Sequence, residues 1–218
     1  MLKKILILIM VLGNFAFGKD SYNLVQEGSY RLKSSKHLVH EIGALNENNK
    51  VNILVEIPAG TNGKWEVNKE TGDLEWEFKK GKPRVVQYLP YIGNYGMIPQ
   101  TLSAKEEGGD GDPLDVILLG ETVQRGSLVE GKIIGVMLMK DNGETDDKLI
   151  AVAKDSVFES INSIEDLNKE FPGVLTILQT WFTNYKGPNE DMRVIGFSGE
   201  KEANKILNSA MKEYKKYN

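Results

Sequence analysis

The chain has 218 residues, 27 of them Lys or Arg and 31 Asp or Glu, for a formal charge of −4. With 40% hydrophobic and 27% charged residues it can build a core, which excludes a largely disordered chain, and its acidity puts general nucleic-acid binding at a disadvantage. It has no cysteine and only two histidines, His37 and His40; this excludes disulfide scaffolds, thiolate metal sites and cysteine nucleophiles and leaves a serine–histidine triad little to draw on.

Lys3 and Lys4 precede an apolar run over residues 5–12, and Ala16 and Gly18 are small residues at the spacing of a signal-peptidase site. This is the three-part pattern of an export leader over 1–18. The run is too short for a membrane span, which needs about 20 apolar residues. The expectation is an exported protein, periplasmic or secreted, with no stable membrane span after cleavage. If the leader is not cleaved, the alternative is a cytoplasmic address. Residues 19–50 are polar without a strong period and read as an N-terminal arm, with room for one short helix or strand.

In VNILVEI, Val51, Ile53, Val55 and Ile57 alternate, leaving Asn52, Leu54 and Glu56 on the other strand face. In KWEV, Trp65 and Val67 share one face and Lys64 and Glu66 the other. KETGD (69–73) is a turn, and LEWEF resumes the extended pattern. Further strands are expected over 84–88, 114–119, 128–139, 148–153 and 192–197. Helical period comes late. Ser163 and Asp166 form an N-cap pair. Pro172 opens a second helix to about Tyr185, with Leu175, Leu178, Trp181 and Phe182 on one face. A last amphipathic helix runs over 200–217, with Ala203, Ile206, Leu207 and Ala210 inward. Many uneven strands followed by a few helices read as α+β, a barrel with helices packed on it, in one domain over 51–218.

The chemistry concentrates in EEGGDGDPLDVILLG. Asp110, Asp112 and Asp115 fall within six residues, among glycines that let the backbone turn tightly. Crowded carboxylates repel one another unless a cation neutralises them, and all-oxygen donors suit a hard cation such as magnesium or calcium. A solvated acidic turn is the bland alternative, weakened by the apolar strand that follows directly. An EF-hand is excluded: counted from Asp110, Leu114 and Asp115 stand where an acid or amide and a glycine are required.

Asp141 and Asp146 bracket Asn142-Gly143, a hairpin signal, just before Lys148. Glu56, Lys64 and Glu66, taken singly, read as solvated strand faces. Arg84, Tyr91 and Tyr95 sit in a loop-rich stretch where tyrosines more often pack. Tyr185 and Lys186 end a helix, where a lysine suits the helix dipole. Together they share one theme: carboxylates for several metal ions, and Lys, Arg and Tyr for phosphate oxygens. A site that is acidic when empty and positive once loaded with ~2 divalent ions fits a small, very anionic substrate.

These residues resemble the soluble family I inorganic pyrophosphatases over about residues 50–212. DGDPLDV (110–116) agrees with that family's D-[SGN]-D-P-[ILV]-D-[VILM] signature. EIPAGTNGKWEVNKETG, NYGMIPQT, DNGETDDK and WFTNYK also match in order and spacing. The resemblance implies a small OB-like five-stranded β-barrel with additional strands and two to three packed helices. It implies magnesium-dependent hydrolysis of diphosphate by activated water, without a covalent intermediate. Asp110, Asp115 and Asp141 would be the core metal ligands, with Asp146 and Glu56 serving further ions. Asp112 would orient or deprotonate the water. Lys64, Arg84, Lys148, Tyr185 and Lys186 would bind phosphate oxygens, and Tyr91, Tyr95 and Glu66 would complete the site. Several Mg2+ ions per site are implied, with Mn2+ or Zn2+ as substitutes and Ca2+ inhibitory, and a homo-oligomer. The departures are the export leader and Asp147, an extra acid beside the metals. The competing readings are a non-catalytic OB-type binding module and an exported domain stabilised by calcium.

Overall fold

In the computed structural model, which describes residues 11–14 and 21–218, the first described elements are three short strands. They are β1 (Val11–Asn14), β2 (Asn23–Gln26) and β3 (Arg31–Ser34). Apart from 11–14, the expected leader over 1–18 lies outside the described residues. Then come β4 (Val51–Ile57), β5 (Trp65–Val67), β6 (Leu74–Trp76), β7 (Phe78–Lys79), β8 (Lys82–Pro83), β9 (Asn94–Met97) and β10 (Asp115–Leu119). The long β11 (Leu128–Asp141), β12 (Glu144–Thr145) and β13 (Lys148–Ala153) precede two helices, α1 (Ile164–Glu170) and α2 (Val174–Asn184). β14 (Met192–Gly199) leads into α3 (Glu200–Tyr217).

Five of these strands close the expected barrel. β4 pairs antiparallel with β9, β9 with β10, β10 runs parallel to β13, β13 pairs with β11, and β11 returns to β4. β11 can close the circle because it is 14 residues long and bends at an irregularity between Ile133 and Gly135. Its first residues pair with Val51–Leu54 and its last carry β12 and β14. The approach of β9 to β4 needs Gly96: a Cβ there would stand 1.9 Å from the Leu54 carbonyl oxygen.

Alternation in β4 suggested one buried and one open face. Both are buried, because the strand is a wall between two apolar clusters. Leu54 and Ile57 belong to one, and Val51, Ile53 and Val55 to the other, against which Ala203, Leu207 and Ala210 of α3 pack. Ile206 is only partly buried. Glu56, expected on an open face, is therefore inside the protein.

The stretch read as a polar arm is, from Tyr22 onward, part of the body. Tyr22, Leu24, Leu32, Leu38, Val39 and Ile42 are buried in the same cluster as Leu54 and Ile57. β3 pairs with β6, and Arg31 forms an ion pair with the buried Asp73. The apolar residues here are spread over very short elements, so no period could register.

No strand forms over 84–88. Val85 makes one isolated bridge to Gly63, and the chain bends between Pro83 and Pro90, neither of which has an amide to donate. The helix signals were closer. The Asp166 amide donates to Ser163 Oγ at 3.0 Å. α2 starts two residues after Pro172 because Gly173 turns into the left-handed region at φ 93°. Leu178, Trp181 and Phe182 are buried on it, and Leu175 is half-buried. Among the described residues, no helix is long and apolar enough to cross a membrane.

Candidate active site

A cavity of about 820 Å³ opens at one end of the barrel. Every residue that the resemblance assigns to the site lines it, except Tyr91; Asp147, the extra acid, does not. Strand register explains much of this. β10 and β13 are parallel, with Val116 opposite Leu149, so Asp115 and Lys148 stand side by side at the strand starts. Lys148 is 2% exposed, and its ammonium holds both Asp115 and Asp146. Burial opposes the charge on each partner. Even so, Lys148, then Lys64, draw the Asp115 carboxyl below its ordinary range, and Asp115 and Asp146 raise Lys148 above its own. For Asp146 burial wins, and its pKa moves up.

The Asn142-Gly143 hairpin forms as expected, with both residues at positive φ (49° and 94°). It presents Asp141 to Lys186 at the end of α2, and their side chains form an ion pair. Tyr185, the residue before, is stacked on Trp181 with ring centroids 4.6 Å apart and planes 11° from parallel.

β5 and the preceding residue supply Lys64 and Glu66, 3.6 Å apart. Burial would lower the Lys64 pKa, but Tyr91 and the carboxylates of Glu56, Asp115 and Glu66 raise it above the ordinary lysine value. Glu56 accepts from the Val67 amide at 2.8 Å. Burial pushes its pKa up to about 8, against the pull of Lys64. The Arg84 backbone is clamped, its carbonyl accepting from the Lys64 amide (3.0 Å) and Trp76 Nε1 (2.8 Å). Its guanidinium bonds Glu77 at 2.7 Å.

The aspartate loop turns at Gly108 and Gly111, both left-handed. Asp110 Oδ1 accepts from the Asp112 amide at 2.9 Å. Burial, with the charges of Asp112 and Asp115, pushes the Asp110 carboxyl up to about 6. Tyr95 is buried on β9 and helps keep the nearby Asp115 carboxyl low, with Lys64 and Lys148 5.6 and 5.8 Å from its ring centroid. Tyr91 was expected at the substrate; it stands one layer behind, packed on Tyr95 and Trp181 at 5.3 and 4.6 Å. Asp147 points away from the cavity, where it accepts from the Met139 amide at 2.9 Å.

Sequence reasoning missed Lys69, which pairs with Asp112, and Glu77, which holds Arg84. Lys69 lay in a stretch read only as a turn. Glu77 shares strand parity with Glu75, which pairs with Glu66, and that parity was its available signal.

Ten carboxylates and five cationic side chains line the cavity, an excess of negative charge with only oxygen as anionic donor. Among the described residues, no three His, Cys, Asp or Glu side chains already form a metal cage. Lysine ammonium groups hold four of the five aspartates instead, Lys148 two of them. The donor set and the surplus charge fit hard divalent cations.

The family model for inorganic pyrophosphatase matches residues 53–215. The inorganic pyrophosphatase of Candida glabrata is 38% identical over 183 residues, 77% of this chain and 64% of its own length. That of Yarrowia lipolytica is 37% identical over 179 residues, 75% of this chain and 62% of its own. The chain thus spans a little under two-thirds of the length of these curated relatives. Among solved structures, the Helicobacter pylori inorganic pyrophosphatase is similar over 76% of this chain and 94% of its own, with 34% identity and a TM-score of 0.65. The type I enzyme of Toxoplasma gondii is similar over 95% of this chain and 98% of its own, with 26% identity and a TM-score of 0.81.

Proposed function

The chain belongs to the inorganic pyrophosphatase family, and we propose that it hydrolyses diphosphate to two phosphates in a magnesium-dependent reaction without a covalent intermediate. The observation that carries this reading is one cavity in which Asp110, Asp112, Asp115, Asp141 and Asp146 face Lys64, Arg84, Lys148 and Lys186.

In this reading Asp110, Asp115 and Asp141 would hold the core metal ions, and Asp146 and Glu56 would serve further ions directly or through water. When bound, divalent ions would neutralise phosphoryl oxygens and lower the pKa of a water toward about 7. Asp112 orients that water for in-line attack on phosphorus and takes up its proton. Lys64, Arg84, Lys148, Tyr185 and Lys186 bind phosphate oxygens, and the cations among them neutralise the charge that develops on the leaving phosphate. Tyr95 favours the ionised form of Asp115, Glu66 holds Lys64, and Tyr91 supports Tyr95 and Tyr185 from behind. The test is phosphate release from diphosphate with magnesium, with calcium and with chelator. Rapid release only with magnesium fits; no release in any condition sinks the reading.

Export is also part of the proposal, supported by the leader pattern over 1–18. Cell fractionation tests it. A homo-oligomer is supported by the exposed Tyr88, Leu89 and Ile177, which gather around Trp181 through a ring contact, a hydrogen bond and one helical turn. Sedimentation of the purified chain tests that.

A further inference from the structure

The turn joining β5 to β6 carries Lys69 across the cavity mouth. Its ammonium forms an ion pair with Asp112 Oδ1 and lies 3.3 Å from the Gly111 carbonyl oxygen. Both side chains are about half exposed, 54% and 51%, so the pair contributes little to stability. Its geometry is nevertheless closely defined. Asn68 Oδ1 accepts from the amides of Glu70 (2.9 Å) and Thr71 (3.2 Å), and the Gly72 amide donates to the Asn68 carbonyl at 2.8 Å.

The turn is braced from outside by His37. Gly72 has φ +74°, and a Cβ there would lie 2.5 Å from His37 Cα. The Leu38 amide donates to the Gly72 carbonyl at 3.2 Å. His37 Nε2 stands 3.2 Å from the Lys69 carbonyl oxygen. A carbonyl only accepts, so Nε2 carries the proton and donates. Nδ1 is buried without a partner, so this bond fixes which ring nitrogen carries the hydrogen.

On the other side, the Asp112 backbone is pinned. Its amide donates to Asp110 Oδ1 (2.9 Å), and its carbonyl accepts from the Ser103 amide (2.8 Å). Only the carboxylate is left to swing. Lys148 and Lys186 are taken by other aspartates, and Lys64 lies with Glu66. Lys69 is the cation that fixes Asp112, and by taking Oδ1 it leaves Oδ2 to accept from water.

We propose that Lys69 is a positioning residue for Asp112, and that His37 sets its reach. His37 belongs to the segment ahead of residue 53, where the family match begins. The proposal rests on the reading of Asp112 as the group that orients the attacking water.

Steady-state diphosphate hydrolysis by the full chain tests it. No turnover by the unchanged chain would overturn the function itself. Given turnover, Lys69→Gln should lower kcat by about tenfold, since small misplacement of a reacting group is costly, with KM held within about twofold. Lys69→Arg should restore most of the loss. His37→Ala should lower kcat too and add nothing on top of Lys69→Gln, and in an Asp112→Asn background Lys69→Gln should have no further effect. An unchanged kcat in Lys69→Gln overturns the proposal. So does a raised KM with kcat intact, which would make Lys69 a binding cation. So do effects of His37→Ala and Lys69→Gln that multiply, or a lost kcat that tracks a lowered Tm and is not restored by arginine.

Discussion

Asp115 and Lys148 are neighbours because the strands they open run parallel and one step out of the aspartate loop. The pair is the electrostatic centre of the cavity. Lys148 is buried, and Asp115 and Asp146 both depend on it for a counter-charge. Removing one partner of a buried pair leaves the other charge uncompensated. Lys148→Met should therefore cost about 3 kcal/mol of stability in chelator, read by urea unfolding. A variant as stable as the parent would show that the two aspartates are held by something else.

Glu56 gives the pH dependence. Its folded pKa of about 8 lies above the ordinary 4.5. Between those values the folded chain keeps the proton that the unfolded chain has released. Stability in chelator should therefore fall as pH rises through this window, by up to about 1.4 kcal/mol per pH unit from this group. Glu56→Gln should flatten that limb. Equal slopes for the two proteins would mean that Glu56 ionises normally.

Asp112→Asn keeps the size of the side chain and the backbone contacts of Asp112 but removes the base. The loss should be at least about a hundredfold in kcat, the scale of general base catalysis, with magnesium binding retained by calorimetry. Near-normal turnover would remove Asp112 from its assigned role.

Gly96→Ala tests barrel closure rather than chemistry. The new methyl would meet the Leu54 carbonyl, which is backbone and cannot swing away. We expect a loss of at least about 1–3 kcal/mol and displacement of Tyr95 next to it. A well-folded variant with unchanged activity would show that β4 and β9 can separate without cost.

Magnesium should raise Tm if the cavity binds it in the folded state only. At about a hundredfold excess over Kd the gain is about 2.7 kcal/mol. Asp115→Asn should lose most of that shift, and a shift that persists in this variant would locate the ion elsewhere.

The barrel and the acids were legible because each left a local mark. Alternation marked β4, an Asn-Gly turn marked the 142–143 hairpin, and the clustered aspartates sat on a strand start. What stayed hidden depends on packing between distant segments. Glu56 looked solvent-facing because alternation says which residues share a face, not whether that face meets water. The segment from Tyr22 to Ala44 looked like an arm because its buried residues are scattered among polar ones. Tyr91 carried the same motif signal as Tyr95, but the three residues between them put one ring at the cavity wall and the other behind it. Lys69 could not be told from an ordinary turn lysine without the 110–112 loop opposite.

The lysine-held aspartates bear on the order of assembly. Small metal-dependent domains often cannot fold until their ion arrives. Here ammonium groups already partner four of the cavity's aspartates, which offsets part of their mutual repulsion. Each incoming ion must then compete with a resident lysine, which weakens its hold and speeds its departure.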